Sequence, residues 1–301
     1  MTTERRIGRA THARGTVLVT GAARGIGRAC VAGFATDGWQ VIAGVRSESD
    51  LDDVASIHPN VVPLLLDVTN QHHLDMLAER VPDALDVVIN NAGVVVDGPV
   101  ETVALQALRQ AFEVNVIGAT GVTQAVLPAI RRGRGRIIFL SSLNGRVALP
   151  WMGPYSASKF ALEGLVDALR VELRPWGIPV SLIEPSATAT DMWGSAAELV
   201  DATAESMTES QRQLYRSHID GARKSVALLQ RLVVPTDDVV ATVRRAATSR
   251  RPSSRYPVGV RGHAFAAGVA VPTWLRDGAF AAIARQPRRL GAGENERTTE
   301  R

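Results

Sequence analysis

Apolar residues along this chain fall into two rhythms. Short, continuous, β-branched runs occur at TVLVT (16–20), QVIAGV (40–45), VVPLLLDV (61–68), DVVIN (86–90), RIIFLSS (136–142) and PVSLIEP (179–185). Their lack of polar alternation is the pattern of strands buried on both faces of a parallel sheet. Between them, GRACVAGFATDG, HLDMLAERV, ALQALRQAFEVNVIGATGVTQAVLPAIRRG and SKFALEGLVDALRVELRPWG carry apolar residues at helical spacing. Parallel neighbours need crossover connections, and helices supply both the crossover and the cover. The alternation therefore predicts a three-layer α/β/α domain with a doubly wound parallel sheet.

After Pro185 the pattern loosens. Residues 186–232 are polar, Ala-rich and helical in propensity, with Met192, Trp193, Met207 and Tyr215 scattered among charges. They read as an insertion or lid on the C-terminal edge of the sheet. PTDDVVATVRRAATS (235–249) resumes an amphipathic helix, and RYPVG (255–259) reads as a last short strand. The domain is thus expected over 15–262, followed by an apolar helical segment at 263–285. That segment is interrupted by Pro272 and falls short of the roughly 20 residues a membrane span needs. It is expected to cover a pocket, join a subunit interface or touch a membrane surface. The tails 1–14 and 286–301 hold little that can be buried and are expected to be disordered.

At 301 residues and 46% hydrophobic, the chain has ample material for a core. Its formal net charge of +4 lies in the tails, where residues 1–14 hold four arginines against Glu4 and residues 286–301 four against three glutamates. The body is balanced, which argues against a phosphate-binding face and a nucleic-acid partner. Cys30 is the single cysteine, so an intramolecular disulfide, a cysteine zinc site and a CxxC redox pair are excluded and a reducing, cytoplasmic setting fits. The N-terminal arginines precede no apolar run, unlike a secretory signal. His58, His72, His73, His218 and His263 match no metal-ligand spacing, and no metal is expected.

The first strand ends in TGAARGIGRA, with Thr20, Gly21, Ala23, Arg24, Gly25, Ile26 and Gly27 at the turn into a helix. Glycines there let backbone approach a pyrophosphate, while the helix offers unpaired N–H groups and its positive dipole end. Twenty-odd residues on, where an acid would grip the ribose 2′-hydroxyl of NAD, the chain has Arg46. Arg46 and Arg24 suit a 2′-phosphate, so NADP(H) is favoured over NAD(H). Of the 34 basic residues only Lys159 and Lys224 are lysines, and Lys159 stands four residues after Tyr155 in PYSASKFALEG, on the same helical face.

Taken in order, TGAARGIG, LDV with Asp67 and Val68, NNAG with Asn91, Ala92 and Gly93, VNVIG with Asn115, LSS ending at Ser142 and YSASK resemble the short-chain dehydrogenase/reductase family. The likeness is to its compact single-domain branch, with retinol and 17β-hydroxysteroid dehydrogenases as the nearest in flavour. The resemblance implies a Rossmann fold and hydride transfer between nicotinamide C4 and a carbonyl carbon. It implies that Tyr155 is the acid/base and that Lys159 lowers its pKa and binds the nicotinamide ribose. Ser142 would bind the substrate oxygen, and Asn115 would kink its helix and help hold a relay water. Asp67 and Val68 would meet adenine, and Pro185, Thr188 and Thr190 would line the nicotinamide end. One departure is Ser186 in EPSATAT, where the family has glycine.

Leu143, Trp151, Met152, Met192 and Trp193, with Val94 and Val95, are candidates for an apolar substrate cleft. They point to a secondary alcohol, ketone or aldehyde such as a steroid, retinoid or long-chain acyl compound, handled by a homodimer or homotetramer. A 3-oxoacyl thioester or small-ketone reductase is the alternative enzyme. A non-catalytic NADP(H)-binding regulator would be marked by loss of Ser, Tyr or Lys, and none is lost. A sugar-nucleotide epimerase would carry a larger C-terminal domain and a different glycine spacing.

Overall fold

The computed structural model describes residues 6–188, 196–230, 233–259, 262–263 and 271–283. Seven strands form one sheet: β1 (Thr16–Thr20), β2 (Gln40–Val45), β3 (Val61–Leu65), β4 (Val87–Asn90), β5 (Arg136–Leu140), β6 (Val180–Glu184) and β7 (Arg255–Pro257). All pair in parallel, in the order β3-β2-β1-β4-β5-β6-β7. This is a Rossmann fold. The order reverses between β1 and β4, and a crevice at the carboxyl ends of the strands follows from that reversal.

Alternate residues of each strand enter different cores, as the period of two requires. Val17 and Val19 pack with Val31, Phe34, Val239 and Val243 on one side of the sheet. Leu18 packs with Ile42, Val88, Val126, Phe139 and Leu162 on the other. The first layer is made by α1 (Gly25–Thr36) and a later helix, Thr236–Thr248; α2 (Leu51–Ala55) is short. On the second face lie α3 (Gln71–Arg80), α4 (Leu105–Phe112), α5 (Ala119–Gly133) and α6 (Gly153–Glu172). Asn70 starts α3 by accepting hydrogen bonds from the N–H groups of His72 and His73. Cys30 is wholly buried in the first core, which pushes its thiol up to about 12 and leaves it unreactive.

Between β6 and β7 the chain forms α7 (Ala196–Ser206), α8 (Glu209–Leu214) and α9 (Arg216–Gln230), before α10 (Thr236–Thr248). These helices own a small core of Val200, Ala204, Met207, Ile219 and Ala222, against which Trp151 and Tyr215 pack. The base of the insertion is closed by a bridge between Thr188 and Val234, with Val234 N–H donating to Ala187 O at 2.8 Å. The segment Arg6–Arg14, expected to be a free tail, is instead laced to the sheet. Ile7 N–H donates to Arg80 O and Arg14 N–H to Gly38 O, while the Gln40 amide bonds both Ala10 N and Gly8 O. Backbone polar groups, invisible to an apolar count, fix it.

Beyond β7, α11 (Thr273–Ile283) falls within the apolar segment, with Trp274 72% exposed. Among the described residues, no helix is long and apolar enough to cross a membrane.

Candidate active site

The Gly-rich turn and the fourth-strand loop are built as one unit. Thr20 Oγ1 accepts from Asn91 N and Ala92 N, both at 3.0 Å, and Asn91 Nδ2 donates to Thr20 O at 2.9 Å and Gly21 O at 3.1 Å. Gly21 has φ +64°, and a Cβ on Gly27 would lie 2.2 Å from Gly21 O, so the turn closes only with glycine at both places. Arg24 is the N-cap of the 12-residue α1 and places no side-chain cap on it. The first N–H groups of the helix are therefore left without a side-chain cap. Arg24 and Arg46, following β1 and β2, are both exposed, and their side chains make no ion pair or hydrogen bond among the described residues. This donor set suits a dinucleotide with an extra phosphate on its adenosine ribose.

Asp67 has one carboxylate oxygen engaged by Thr69 N and Oγ1 at 2.9 and 2.8 Å, while its own N–H donates to His73 Nδ1 at 3.0 Å. Val68 is buried where Gly118 passes, close enough that a Cβ there would come 2.7 Å from Val68 Cγ2.

Three elements carry the reactive groups. Asn115 lies in a π-helical turn, Glu113–Gly118, inserted between α4 and α5. Its Nδ2 donates to Val94 O and Ser158 Oγ, each at 2.9 Å, and its Oδ1 accepts from Val94 N at 2.8 Å. Ser142 follows β5 and accepts from Asn144 N at 3.1 Å, with Pro185 O 3.4 Å away. Tyr155 and Lys159 share a face of α6. Lys159 Nζ donates to Leu140 O at 2.8 Å and lies 5.8 Å from the centroid of the Tyr155 ring. Gly93 completes the floor, since a Cβ there would sit 3.2 Å from Asn115 Oδ1 and 3.8 Å from Lys159 Nζ.

The protein alone does not lower the tyrosine, contrary to the expectation from its lysine neighbour. Burial pushes the Tyr155 phenol up to about 12, against a hydrogen bond with Ser142 that favours the phenolate. Burial also draws Lys159 down to about 8, against the charge of Glu163. The ammonium is tied to a carbonyl and sits over the ring, and desolvation of both groups wins. Near neutral pH the site holds a protonated phenol beside a cation.

Of the other expected residues, Leu143 is buried and donates its N–H to Pro185 O at 3.0 Å. Thr188 is buried, with its hydroxyl on Ser186 O at 3.1 Å. Ser186 avoids positive φ, which belongs among non-glycine residues only to Arg134 and Trp151 of those described, and its buried Oγ has no hydrogen-bond partner among the described residues. Trp151, at φ +72°, packs on the insertion core, and Met152 is half-buried at the N-cap of α6. Thr190, Met192 and Trp193 lie outside the described residues. Sequence reasoning missed Ser158, which links Asn115 to Tyr155 O (2.8 Å), and the buried Glu163; the four-residue offset of Glu163 from Lys159 was the available signal.

A Gly-rich turn at a switch point, with Ser, Tyr and Lys brought to one crevice, defines an oxidoreductase of the dinucleotide-binding class. The chain belongs to the short chain dehydrogenases, whose family model matches residues 15–200. It is 31% identical over 275 residues to an NADPH-dependent 3-dehydrocapnine reductase of Ornithobacterium rhinotracheale, covering 87% of this chain and 95% of that protein. It is 32% identical over 252 residues to a 3-amino-tetrahydro-pyrrolizinone reductase of Xenorhabdus hominickii, covering 82% and 87%. A short chain dehydrogenase from Burkholderia cenocepacia, solved in complex with NADP, superposes with a TM-score of 0.68 at 26% identity, covering 91% of this chain and 99% of that one.

Proposed function

We propose that the chain is an NADP(H)-dependent reductase or dehydrogenase of an apolar secondary alcohol or ketone, with Tyr155 as acid/base. The observation that carries this reading is the Ser142–Tyr155–Lys159 group beside a Gly-rich turn flanked by two exposed arginines whose side chains have no partner among the described residues. The NADPH-dependent relative and the NADP-bound structure support the cofactor, and the two relatives named as reductases support the reducing direction.

Bound NADPH would supply a hydride to the carbonyl carbon. Arg24 and Arg46 would hold the ribose phosphate, and the α1 N-terminus the pyrophosphate. Ser142 would orient the substrate oxygen and stabilise its developing charge. Tyr155, protonated at neutral pH, would donate its hydroxyl proton to that oxygen, and the Lys159 ammonium would steady the phenolate left behind. Asn115, fixed by Val94 and Ser158, keeps the π turn and the floor near Lys159 in place. A cytoplasmic enzyme suits the single buried thiol.

The test is a screen of hydroxysteroids, retinoids, 3-oxoacyl thioesters and small ketones by NADPH absorbance. On any substrate found, Tyr155→Phe should lose at least about a hundredfold in turnover, with NADPH still bound by fluorescence. Lys159→Arg should lose most of it, because a planar fork cannot replace a compact ammonium. Parent-like turnover in Tyr155→Phe would end this mechanism.

A further inference from the structure

Behind Lys159 lies a second group of charges that the steps above do not use. Glu163, one helical turn further along α6, and Glu184, at the end of β6, are 5% and 0% exposed. Arg255 of β7 spans them. Its Nη2 lies 3.0 Å from Glu163 Oε2 and 2.8 Å from Asp167 Oδ2, and its Nε lies 3.1 Å from Glu184 Oε1. Arg146, from the turn after β5, reaches the same Glu184 oxygen at 3.3 Å. That turn also presses on the helix between the two residues of interest, since a Cβ on Gly145 would lie 2.9 Å from Glu163 Cγ and 3.2 Å from Lys159 O.

Lys159 is itself 5% exposed, and its Nζ hydrogen bond goes to the uncharged Leu140 carbonyl. A buried ammonium without an anion is costly, so the source of its counter-charge matters. From its own helix Lys159 faces Tyr155, a neutral phenol, and Glu163. The π turn presents neutral Asn115, and the residue after β5 is neutral Ser141. Asp167 is committed to Arg255 and Arg170, and Glu184 to Arg255 and Arg146. Glu163, one turn further along the same face and held by Arg255, lies beyond ion-pair distance of Lys159 and acts on the ammonium through space.

We infer that Glu163 is a positioning residue whose carboxylate, pinned by Arg255, is the counter-ion that keeps the buried Lys159 charged. This rests on the reading of Lys159 as part of the hydride-transfer site, but it can be tested without substrate or cofactor. Burial holds Lys159 near 8, and the charge of Glu163 is what raises it. An ammonium at that value stays protonated at neutral pH by a narrow margin. Removing Glu163 should bring it closer to neutrality, while Arg255 keeps Asp167 and Glu184 as partners and the fold keeps its network.

The chain offers a clean readout, because Lys159 and Lys224 are its only lysines. In the full-length protein grown on isotope-labelled lysine, two side-chain NMR signals are expected, assigned with Lys224→Arg. In Glu163→Gln the Lys159 midpoint should fall by about half a pH unit or more, while exposed Lys224 stays put. Glu163→Asp, which keeps the charge, should restore at least half of the fall. Glu163→Met, similar in volume, replaces the Gln variant if that one does not fold. A smaller fall, or an equal fall with Asp, overturns the inference. Parent-like turnover in Tyr155→Phe with a fall in the Lys159 midpoint would instead sink the reaction assigned to the site and leave the counter-ion intact.

Discussion

At the scale of single residues, the proposed preference for NADP(H) rests on Arg24 and Arg46, which follow β1 and β2. Both are exposed and their side chains have no partner among the described residues, so their guanidinium groups are placed to meet a phosphate. Arg46→Ala should weaken NADPH about tenfold in fluorescence titration, the equivalent of about 1.4 kcal/mol, and leave NADH almost unchanged. Equal losses for both cofactors would move the phosphate contact elsewhere. Arg46 and Arg24 were legible from the chain as the replacement of an expected acid by a base. Nothing in the sequence revealed that Lys159 is buried and Tyr155 half-buried, so the desolvation that raises the phenol in the protein alone was not legible: the pair was visible and its burial was not.

At the scale of elements, the insertion α7–α9 is coupled to the loop after β4. Thr203 Oγ1 donates to Asp97 Oδ1 at 3.0 Å, and the Tyr215 hydroxyl meets Glu101. Trp151 ties the same loop to the start of α6 by accepting from Gly98 N at 2.7 Å. Burial raises the Asp97 carboxyl, with the Thr203 hydrogen bond acting against it. An acid whose folded value is raised holds its proton in the folded state first. Its effect is thus to lower stability as pH rises from the ordinary aspartate value of 3.8 through the raised one. Asp97→Asn keeps an acceptor for Thr203 and removes the buried charge. It should melt no earlier than the parent at pH 7 and flatten the decline above pH 3.8, whereas Asp97→Ala should cost about 1 kcal/mol relative to Asn. A lower melting point for Asn than for Ala would break this account. The helices of the insertion were readable from composition, but their contact with Asp97 joins residues far apart in the chain and left no local trace.

At the scale of the whole molecule, α6 separates two functions by face. Tyr155, Lys159 and Glu163 point inward, while Ala157, Phe160, Gly164, Ala168 and Val171 form an exposed stripe at offsets of three and four. Phe160 is 44% exposed, Val171 69% and Ile117, on the adjoining π turn, 54%. A stripe of small and apolar residues suits close approach of a twofold-related helix from a second copy. The parent should therefore sediment as a dimer or tetramer, and Phe160→Arg should shift it towards monomer. A monomeric parent would remove oligomerisation from the account and leave the site as described.

The sequence by itself determined the sheet, its parallel sense and the site's address, because continuous apolar runs, helical spacing and a Gly-rich turn are local patterns with a single economical packing. It also put Tyr155 and Lys159 on one helical face, since a four-residue offset follows from backbone geometry. Tertiary structure decided what those groups experience. The lacing of residues 6–14 depends on partners in distant strands and helices, the negative φ of Ser186 on how the chain leaves β6. The carboxylates around Arg255 come together only when α6, β6 and β7 are stacked side by side. Desolvation and charge are set by everything within a few ångströms, whatever its place in the chain, and that neighbourhood exists only in the folded protein.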